Sequence, residues 1–153
     1  MSEGSTNQFF DVGDKTALVC VDNIEYQNMV VNALTQMGYK IHVGFFLEDI
    51  AVKVRSHQYD VIVIYEAFMG MTLADNAVLM ELQGIPMTQR RFQTVVLLGE
   101  SMPTADRLSG FLFSVTLTVN PVDLQQIDVL IRRCVLEQDE FYHTFKTITR
   151  ERG

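Results

Sequence analysis

The stretch that decides the fold is Tyr59-Asp60-Val61-Ile62-Val63-Ile64-Tyr65-Glu66. After the aspartate comes an unbroken apolar run, mostly of β-branched residues, that ends at Tyr65. The run is too short to cross a membrane and too continuous for a strand with one face in water. It therefore predicts the central strand of a parallel sheet that helices cover on both faces. Because functional groups gather at the carboxyl ends of such strands, Tyr65 and its neighbours become the candidate site.

The composition bounds the class of protein. The 153 residues suit one domain, and a chain with 48% hydrophobic and 20% charged residues is neither disordered nor collagen-like. The formal net charge is −7 and the pI is near 4.8. An acidic surface repels phosphate backbones and anionic lipids, so we expect neither nucleic acid nor a membrane as a partner. The opening residues are polar and acidic, unlike a signal peptide, which indicates a cytoplasmic location.

The cysteines and histidines do not form a metal or disulfide pattern. Cys20 lies in an apolar strand pattern and Cys134 on the inner side of a helical pattern, so we predict two buried free thiols. His42, His57 and His143 lie in different predicted elements without ligand spacing. We expect these histidines to be solvated or locally hydrogen-bonded rather than bound to zinc.

Strand patterns and helix patterns alternate along the chain. Residues 1–14 come first and read as a flexible leader, although Phe9 and Phe10 could dock onto the domain that residues 15–153 form. The predicted strands cover residues 16–22, 40–46, 60–66, 92–99 and 115–119. The predicted helices cover residues 24–37 and 47–57, a third capped by Thr72 or Asp75 that ends near 82, a fourth from the cap Thr104 to 113, and a last one from about 122 to 150. Five βα units with short connections predict a three-layer α/β sandwich.

Four landmarks give this alternation a family resemblance. They are Val21-Asp22-Asn23 after the first strand, Tyr59-Asp60 at the third, Gly70 after it, and Asn120-Pro121 after the fifth. With them, residues 15–136 resemble the receiver domain of bacterial two-component response regulators. The resemblance implies the flavodoxin-like strand order 2-1-3-4-5. It also implies a cis peptide bond before Pro121, since such bonds are enriched only before proline.

The resemblance further implies which positions would carry phosphotransfer. An active receiver phosphorylates an Asp at the end of strand three, holds Mg²⁺ with an acidic pair after strand one, and contacts the phosphoryl group through Thr or Ser and Lys. The residues at those positions here are Tyr65, Asp22 with Asn23, Gly99 and Asn120, and the aromatic switch position is Leu117. Five changes in one site imply a pseudo-receiver, a domain that keeps the fold without catalytic residues, bound metal or cofactor.

Several of these residues allow more than one interpretation. Asp22 is either a remnant cation ligand, the N-cap of the first helix, or a hydrogen-bonded strand-end carboxylate. Tyr65 either accepts phosphate or fills the emptied pocket with its ring, leaving its hydroxyl at the rim. Glu66 and Glu100 follow strand ends and could join Asp22 in a metal site, although Tyr65 and Glu66, as strand neighbours, should point to opposite faces.

The same cleft supports an alternative function. A small-ligand or metal sensor would use the carboxyl-end residues Asp22, Glu66, Gly99, Glu100 and Asn120. A flavodoxin-like enzyme is a third hypothesis, but the first βα turn has no glycine-rich phosphate loop.

The last helix extends beyond what the sheet requires. Its sheet-facing stripe is Leu124, Ile127, Ile131 and Cys134. Beyond it an apolar seam continues at spacings of four and three, with one aromatic alongside: Phe141, Phe145 and Ile148, with Tyr142. The seam predicts a homodimer or a partner helix, although the tail could also fold back or join a further domain.

Together these patterns predict a phosphorylation-independent signalling or scaffolding module. It would bind another protein or itself through the last helix and the face of fourth helix, fifth strand and fifth helix that receivers commonly use. With Gly99 and Leu117 the usual switch lacks its hydroxyl and its aromatic ring, so we expect one fixed conformation.

Overall fold

A computed structural model describes the backbone of residues 10–152 and the side chains of residues 10–141. Five parallel strands form one sheet in the order β2-β1-β3-β4-β5, which confirms the predicted flavodoxin-like α/β fold. The strands are β1 (Thr16–Cys20), β2 (Lys40–Val43), β3 (Val61–Tyr65), β4 (Thr94–Leu98) and β5 (Leu117–Val119).

Six α-helices connect or follow these strands within the described residues. They are α1 (Ile24–Gln36), α2 (Leu47–Ser56), α3 (Ala77–Gln83), α4 (Met87–Arg90), α5 (Arg107–Phe113) and α6 (Ile127–Arg152). Short 3-10 helices cover Phe68–Gly70 and Pro121–Gln126. The four-residue α4 was not predicted, and the fourth and fifth helices of the sequence pattern correspond to α5 and α6.

The alternation of β3 side chains divides the core into two layers. Val61 and Val63 face the layer that α1 and α6 cover, and Ile62 and Ile64 face the layer that α2 and α3 cover. All four side chains are fully buried. The apolar run that decided the fold is therefore covered on both faces, as predicted.

The helix caps differ from the prediction at two helices, and at a third the structure decides between the alternatives for Asp22. Asn23 rather than Asp22 caps α1, by accepting a hydrogen bond from the Tyr26 N–H at 3.1 Å. Asn76 rather than Thr72 or Asp75 caps α3, because the Thr72 hydroxyl donates instead to the Asp75 carboxylate.

Asp106 likewise replaces Thr104 as the cap of α5. The hydroxyl of Thr104 donates to Asp123 at 2.6 Å and accepts the Asn120 N–H at 2.9 Å, so it ties two loops together. Ser, Thr, Asp and Asn are all good caps, and only tertiary contacts decide which one is used.

The peptide bond before Pro121 is trans, so the prediction of a cis bond was wrong. Pro121 occupies the first turn of a 3-10 helix, where its fixed φ and missing N–H fit. The Asn120 side chain caps this turn by accepting the Val122 N–H at 3.1 Å. The proline therefore no longer counts among the landmarks of the resemblance.

The remaining expectations concern single residues. Cys20 and Cys134 are buried free thiols, as predicted. Phe10 packs against the amino end of the sheet, where it stacks on His42 with ring centroids 4.0 Å apart, while Phe9 lies outside the described residues. Among the described residues, no helix is long and apolar enough to span a membrane.

Candidate functional site

Two tyrosines and one glutamate meet at the carboxyl edge of the sheet. The hydroxyl of Tyr65, at the end of β3, donates to the Glu100 carboxylate at 3.2 Å, and the hydroxyl of Tyr26, from α1, donates to it at 3.1 Å. The two rings pack edge to face at 5.7 Å. The Tyr65 ring thus packs on Tyr26, and its hydroxyl lies at the solvent-exposed edge, bonded to Glu100.

This arrangement keeps both tyrosines protonated. Burial raises the pKa of Tyr65 to about 12, and the negative charge of Glu100 adds to the shift. Burial and the hydrogen bond to Glu100 also raise the pKa of Tyr26. Both phenols therefore act as neutral hydrogen-bond donors at neutral pH, and neither is an activated nucleophile.

Glu66 is a buried carboxylate, of which the sequence predicted only that it follows the end of a strand. Its side chain lies against Gly99, where a Cβ atom would come within 2.4 Å of the Glu66 Cδ. Ser101 donates to the carboxylate with its backbone N–H at 3.1 Å and with its hydroxyl. Tyr65 contacts Glu100 and Glu66 contacts Ser101, so both side chains hold the loop after β4 without sharing one pocket.

Asp22 is a hydrogen-bonded strand-end carboxylate. It accepts the backbone N–H of Met69 at 2.8 Å, in the loop after β3. Met69 and Gly70 both have positive φ, at 57° and 73°, so this loop turns sharply where Asp22 holds it.

Asn120 also binds the loop after β4. Its side-chain amide donates to the Met102 carbonyl at 3.0 Å and lies 3.5 Å from the Glu100 carbonyl. Three elements thus hold the same short loop: the end of β3 through Tyr65 and Glu66, α1 through Tyr26, and the end of β5 through Asn120.

The structure does not assemble the three-carboxylate site that the sequence allowed. Asp22, Glu66 and Glu100 each have separate hydrogen-bond partners, and among the described side chains of residues 10–141 no group of three possible ligands could hold a metal ion. The histidines are locally bonded: His42 Nδ1 lies 2.8 Å from the Tyr59 hydroxyl, and His57 Nε2 lies 3.1 Å from that of Thr16. His143 lies outside the described side chains.

The β5 edge of the sheet differs from the carboxyl edge, because it has an apolar helix surface in solvent and a groove beside it. The side chain of Leu117 is buried there, but α5 beside it buries none of its residues. A groove of about 510 Å³ runs between α5, β5 and α6. Beyond it, Phe141 of α6 is exposed, whereas the side chains of Tyr142, Phe145 and Ile148 lie outside the described part of the chain.

Comparison with known proteins supports the fold independently. No family model matches the chain, and no curated protein matches it in sequence. Among solved structures, a putative response regulator from Chloroflexus aurantiacus is similar, with 12% identity, a TM-score of 0.64, and coverage of 80% of this chain and 98% of that one. A CheY-like receiver domain protein from Methanospirillum hungatei has 11% identity, a TM-score of 0.64, and coverage of 84% and 98%. The phosphorylated response regulator of a cyanobacterial phytochrome has 18% identity, a TM-score of 0.62, and coverage of 81% and 95%.

Proposed function

We propose that this chain is a protein-interaction module on a receiver-like fold, which signals or scaffolds without being phosphorylated and without acting as an enzyme. Residues 15–153 form the module, and residues 1–14 are its leader. The observation that carries the proposal is the surface of α5, where Phe111 is 83%, Leu108 66% and Leu112 62% exposed. A helix this apolar is stable when another surface covers it, so its exposure marks an interaction face.

The groove beside α5 makes this face concave, so that it can accept a side chain of a partner. Its apolar lining includes Leu117, Leu130 and Cys134, so a side chain such as Phe can bury itself there. Fully burying one large apolar side chain contributes about 1.5–3 kcal/mol. The charged residues that line the groove have both signs: Asp106, Arg107, Arg133 and Glu137. A face with both signs can pair with its own copy across a two-fold axis, which favours a homodimer.

The extended last helix supports the same conclusion. Gln138 provides a contact between α6 and the sheet, through Gln93 and Thr94 of the β4 region. The helix continues to Arg152, which adds about 21 Å beyond that contact at a rise of ~1.5 Å per residue. Phe141 is 75% exposed on this extension. Together with Phe145 and Ile148 it would give two copies a second, helical contact.

The carboxyl edge supports independence from phosphorylation. By the resemblance to receivers, Tyr65 stands at the acceptor position, and its hydroxyl is protonated at neutral pH. The carboxylate of Asp22 accepts a backbone N–H, and Gly99 and Asn120 supply neither a hydroxyl nor a positive charge. The nearby carboxylates Glu66 and Glu100 would repel an incoming phosphoryl anion.

Intact-mass spectrometry tests the loss of phosphorylation. After incubation with acetyl phosphate and Mg²⁺ we expect no phosphoryl adduct, and beryllofluoride with Mg²⁺ should not raise the melting temperature. A receiver that keeps its acceptor aspartate, treated in parallel, gives both signals. A stable adduct on this chain would show that another residue accepts phosphate, and the proposal would be wrong.

Light scattering tests the interaction face. We expect the full chain to be dimeric at micromolar concentration, and Phe111→Ser and Phe141→Asp each to shift the mass towards a monomer. Met80→Ser is the matched control, because Met80 is 62% exposed on α3, away from this face. A wild-type chain that is monomeric throughout, with both variants unchanged, would contradict self-association.

A further inference from the structure

A second exposed apolar patch lies at the carboxyl edge of β2, β1 and β3. Phe45 and Phe46, which connect β2 to α2, are each 51% exposed. Ile24 at the start of α1 and Met69 in the loop after β3 are exposed as well. None of these four side chains belongs to the α5 face, so they need an explanation of their own.

The three loops that carry the patch are neighbours. Strand β1 pairs in parallel with β2, with Val19 opposite Val43, so the loops that follow them leave neighbouring strands, which lie about 4.8 Å apart. On the other side, the hydrogen bond from the Met69 N–H to Asp22 joins the loop after β3 to the loop after β1. The four apolar residues therefore lie on adjacent loops at the same edge of the sheet.

The charges around this surface have one sign. The five connections at the carboxyl edge are residues 21–23, 44–46, 66–76, 99–106 and 120, and they contain no lysine or arginine. The first helical turns beside the patch add the exposed carboxylates Glu25 and Glu48. In this part of the fold the basic residues lie towards the opposite edge, at the start of β1 and β2 and late in α2: Lys15, Lys40, Lys53 and Arg55.

We infer that this carboxyl-edge patch is a second docking surface, and that its occupant is a basic amphipathic helix of a partner protein. The apolar stripe of such a helix covers Phe45, Phe46, Ile24 and Met69, and its lysines and arginines face Glu25 and Glu48. An acidic rim repels acidic peptides, nucleic acid and anionic lipid, so charge complementarity selects the basic helix.

A synthetic peptide can serve as the partner in a binding test with the full-length chain. The probe is an 18-residue amphipathic helix of leucine and lysine with a fluorescent label, and its control replaces every lysine with glutamate. Fluorescence anisotropy should show binding of the lysine peptide and at least tenfold weaker binding of the glutamate peptide. Binding should also weaken as salt rises, because the exposed charges are screened.

Variants of the chain then locate the binding surface. The pair Phe45→Ser with Phe46→Ser should weaken binding at least tenfold, and Ser at position 46 suits the N-cap of α2, so folding is preserved. The pair Glu25→Lys with Glu48→Lys should do the same. The matched control is Asp139→Lys with Glu140→Lys, an equal change of charge on exposed residues of α6, which should stay within twofold of wild type.

The outcomes separate this inference from the proposed function. Absence of binding, equal binding of both peptides, or an equal loss in the α6 control would overturn it. Phe111→Ser should disrupt self-association and leave peptide binding within twofold, so each surface can fail its own test independently of the other.

Discussion

At the end of β3, the buried carboxylate of Glu66 fits only because the residue at position 99 is a glycine. Glu66 occupies the space where a side chain at position 99 would lie, and Ser101 satisfies its carboxylate. The φ angle of Gly99 lies outside the left-handed region, so close approach rather than backbone freedom explains the glycine. By the resemblance to receivers, Gly99 stands where an active receiver has the hydroxyl of Thr or Ser. The structure adds a second explanation, because only glycine at this position leaves room for Glu66.

This dependence makes Gly99→Ala destabilising. The new Cβ would lie 2.4 Å from the Glu66 Cδ, so the carboxylate would have to move out of its site. Overpacking of this kind costs about 1–3 kcal/mol of unfolding free energy, which urea denaturation measures. The control Gly84→Ala should change little, because its nearest contact is the Glu81 carbonyl at 3.4 Å.

A double variant shows whether Glu66 is the cause. Glu66→Ala removes the atoms that the new methyl group meets, so combining it with Gly99→Ala should cost less than the sum of the two single changes. Strictly additive losses would mean that strain elsewhere, and not this contact, destabilises Gly99→Ala.

Tyr65 should make stability fall at alkaline pH. Its pKa is about 12 in the folded chain, raised first by burial and then by Glu100, against 10 for a free phenol. A raised pKa means that its contribution to stability is complete below pH 10 and is lost as the pH rises from 10 through 12. Unfolding free energies of wild type and Tyr65→Phe, measured with urea from pH 8 upwards, should therefore converge above pH 10. Two parallel curves would contradict the assigned shift.

The sequence predicted which residues lie at this site better than it predicted their hydrogen-bond partners. The order of strands placed Tyr65, Gly99 and Asn120 at one edge, because parallel strands bring their carboxyl ends together. Hydrogen-bond partners depend on loop geometry that no periodicity encodes. For that reason the bond from Asp22 to Met69 was not predicted, and the trans bond before Pro121 contradicted the family pattern.

At the scale of elements, Asn76 joins α3 to the end of β3. Its side-chain oxygen accepts the N–H groups of Val78 and Leu79, and its amide donates to the carbonyls of Tyr65 and Glu66, each at 3.1 Å. The residue is 1% exposed, so water cannot replace these partners.

Asn76→Ala should therefore lower the unfolding free energy by more than the loss of an ordinary helix cap does. Loss of the cap and of the bonds to two carbonyls should lower the unfolding free energy by about 2–4 kcal/mol. Asp106→Ala is the comparison, because Asp106 caps α5 through Ser109 alone and is only partly buried. We expect about 1 kcal/mol for that variant in the same thermal or urea measurement. Equal losses would show that the carbonyl bonds of Asn76 contribute nothing.

The strands and the long helices were the most predictable elements. Their apolar periodicity is set by burial, and burial on both faces leaves a continuous run such as residues 61–64. Their ends were less predictable: β5 is only Leu117–Val119, because the Val115 N–H bonds to the Gly110 carbonyl at the end of α5. The short helix α4 has too few residues for a periodic signal.

On the scale of the whole molecule, two of the apolar surfaces on the described residues lie far apart. The α5 face lies at the β5 edge, and the patch of Phe45 and Phe46 lies near β2, at the other end of the sheet. The loop that leads from β4 to α5 is held by Glu66, Tyr65 and Asn120. These side chains hold the loop through hydrogen bonds at Glu100, Ser101 and Met102.

The two surfaces should therefore bind without influencing each other. Coupling between sites requires two conformations that the ligands bind with different affinity, and the hydrogen-bonded loop favours one. Saturating the carboxyl-edge patch with the leucine–lysine peptide should leave the association constant of the chain within twofold, as measured by sedimentation equilibrium. By linkage, raising the protein concentration through the dimerisation range should leave the peptide affinity equally unchanged. A fivefold change in either constant corresponds to about 1 kcal/mol of coupling, and it would show that the loop after β4 still switches between two states.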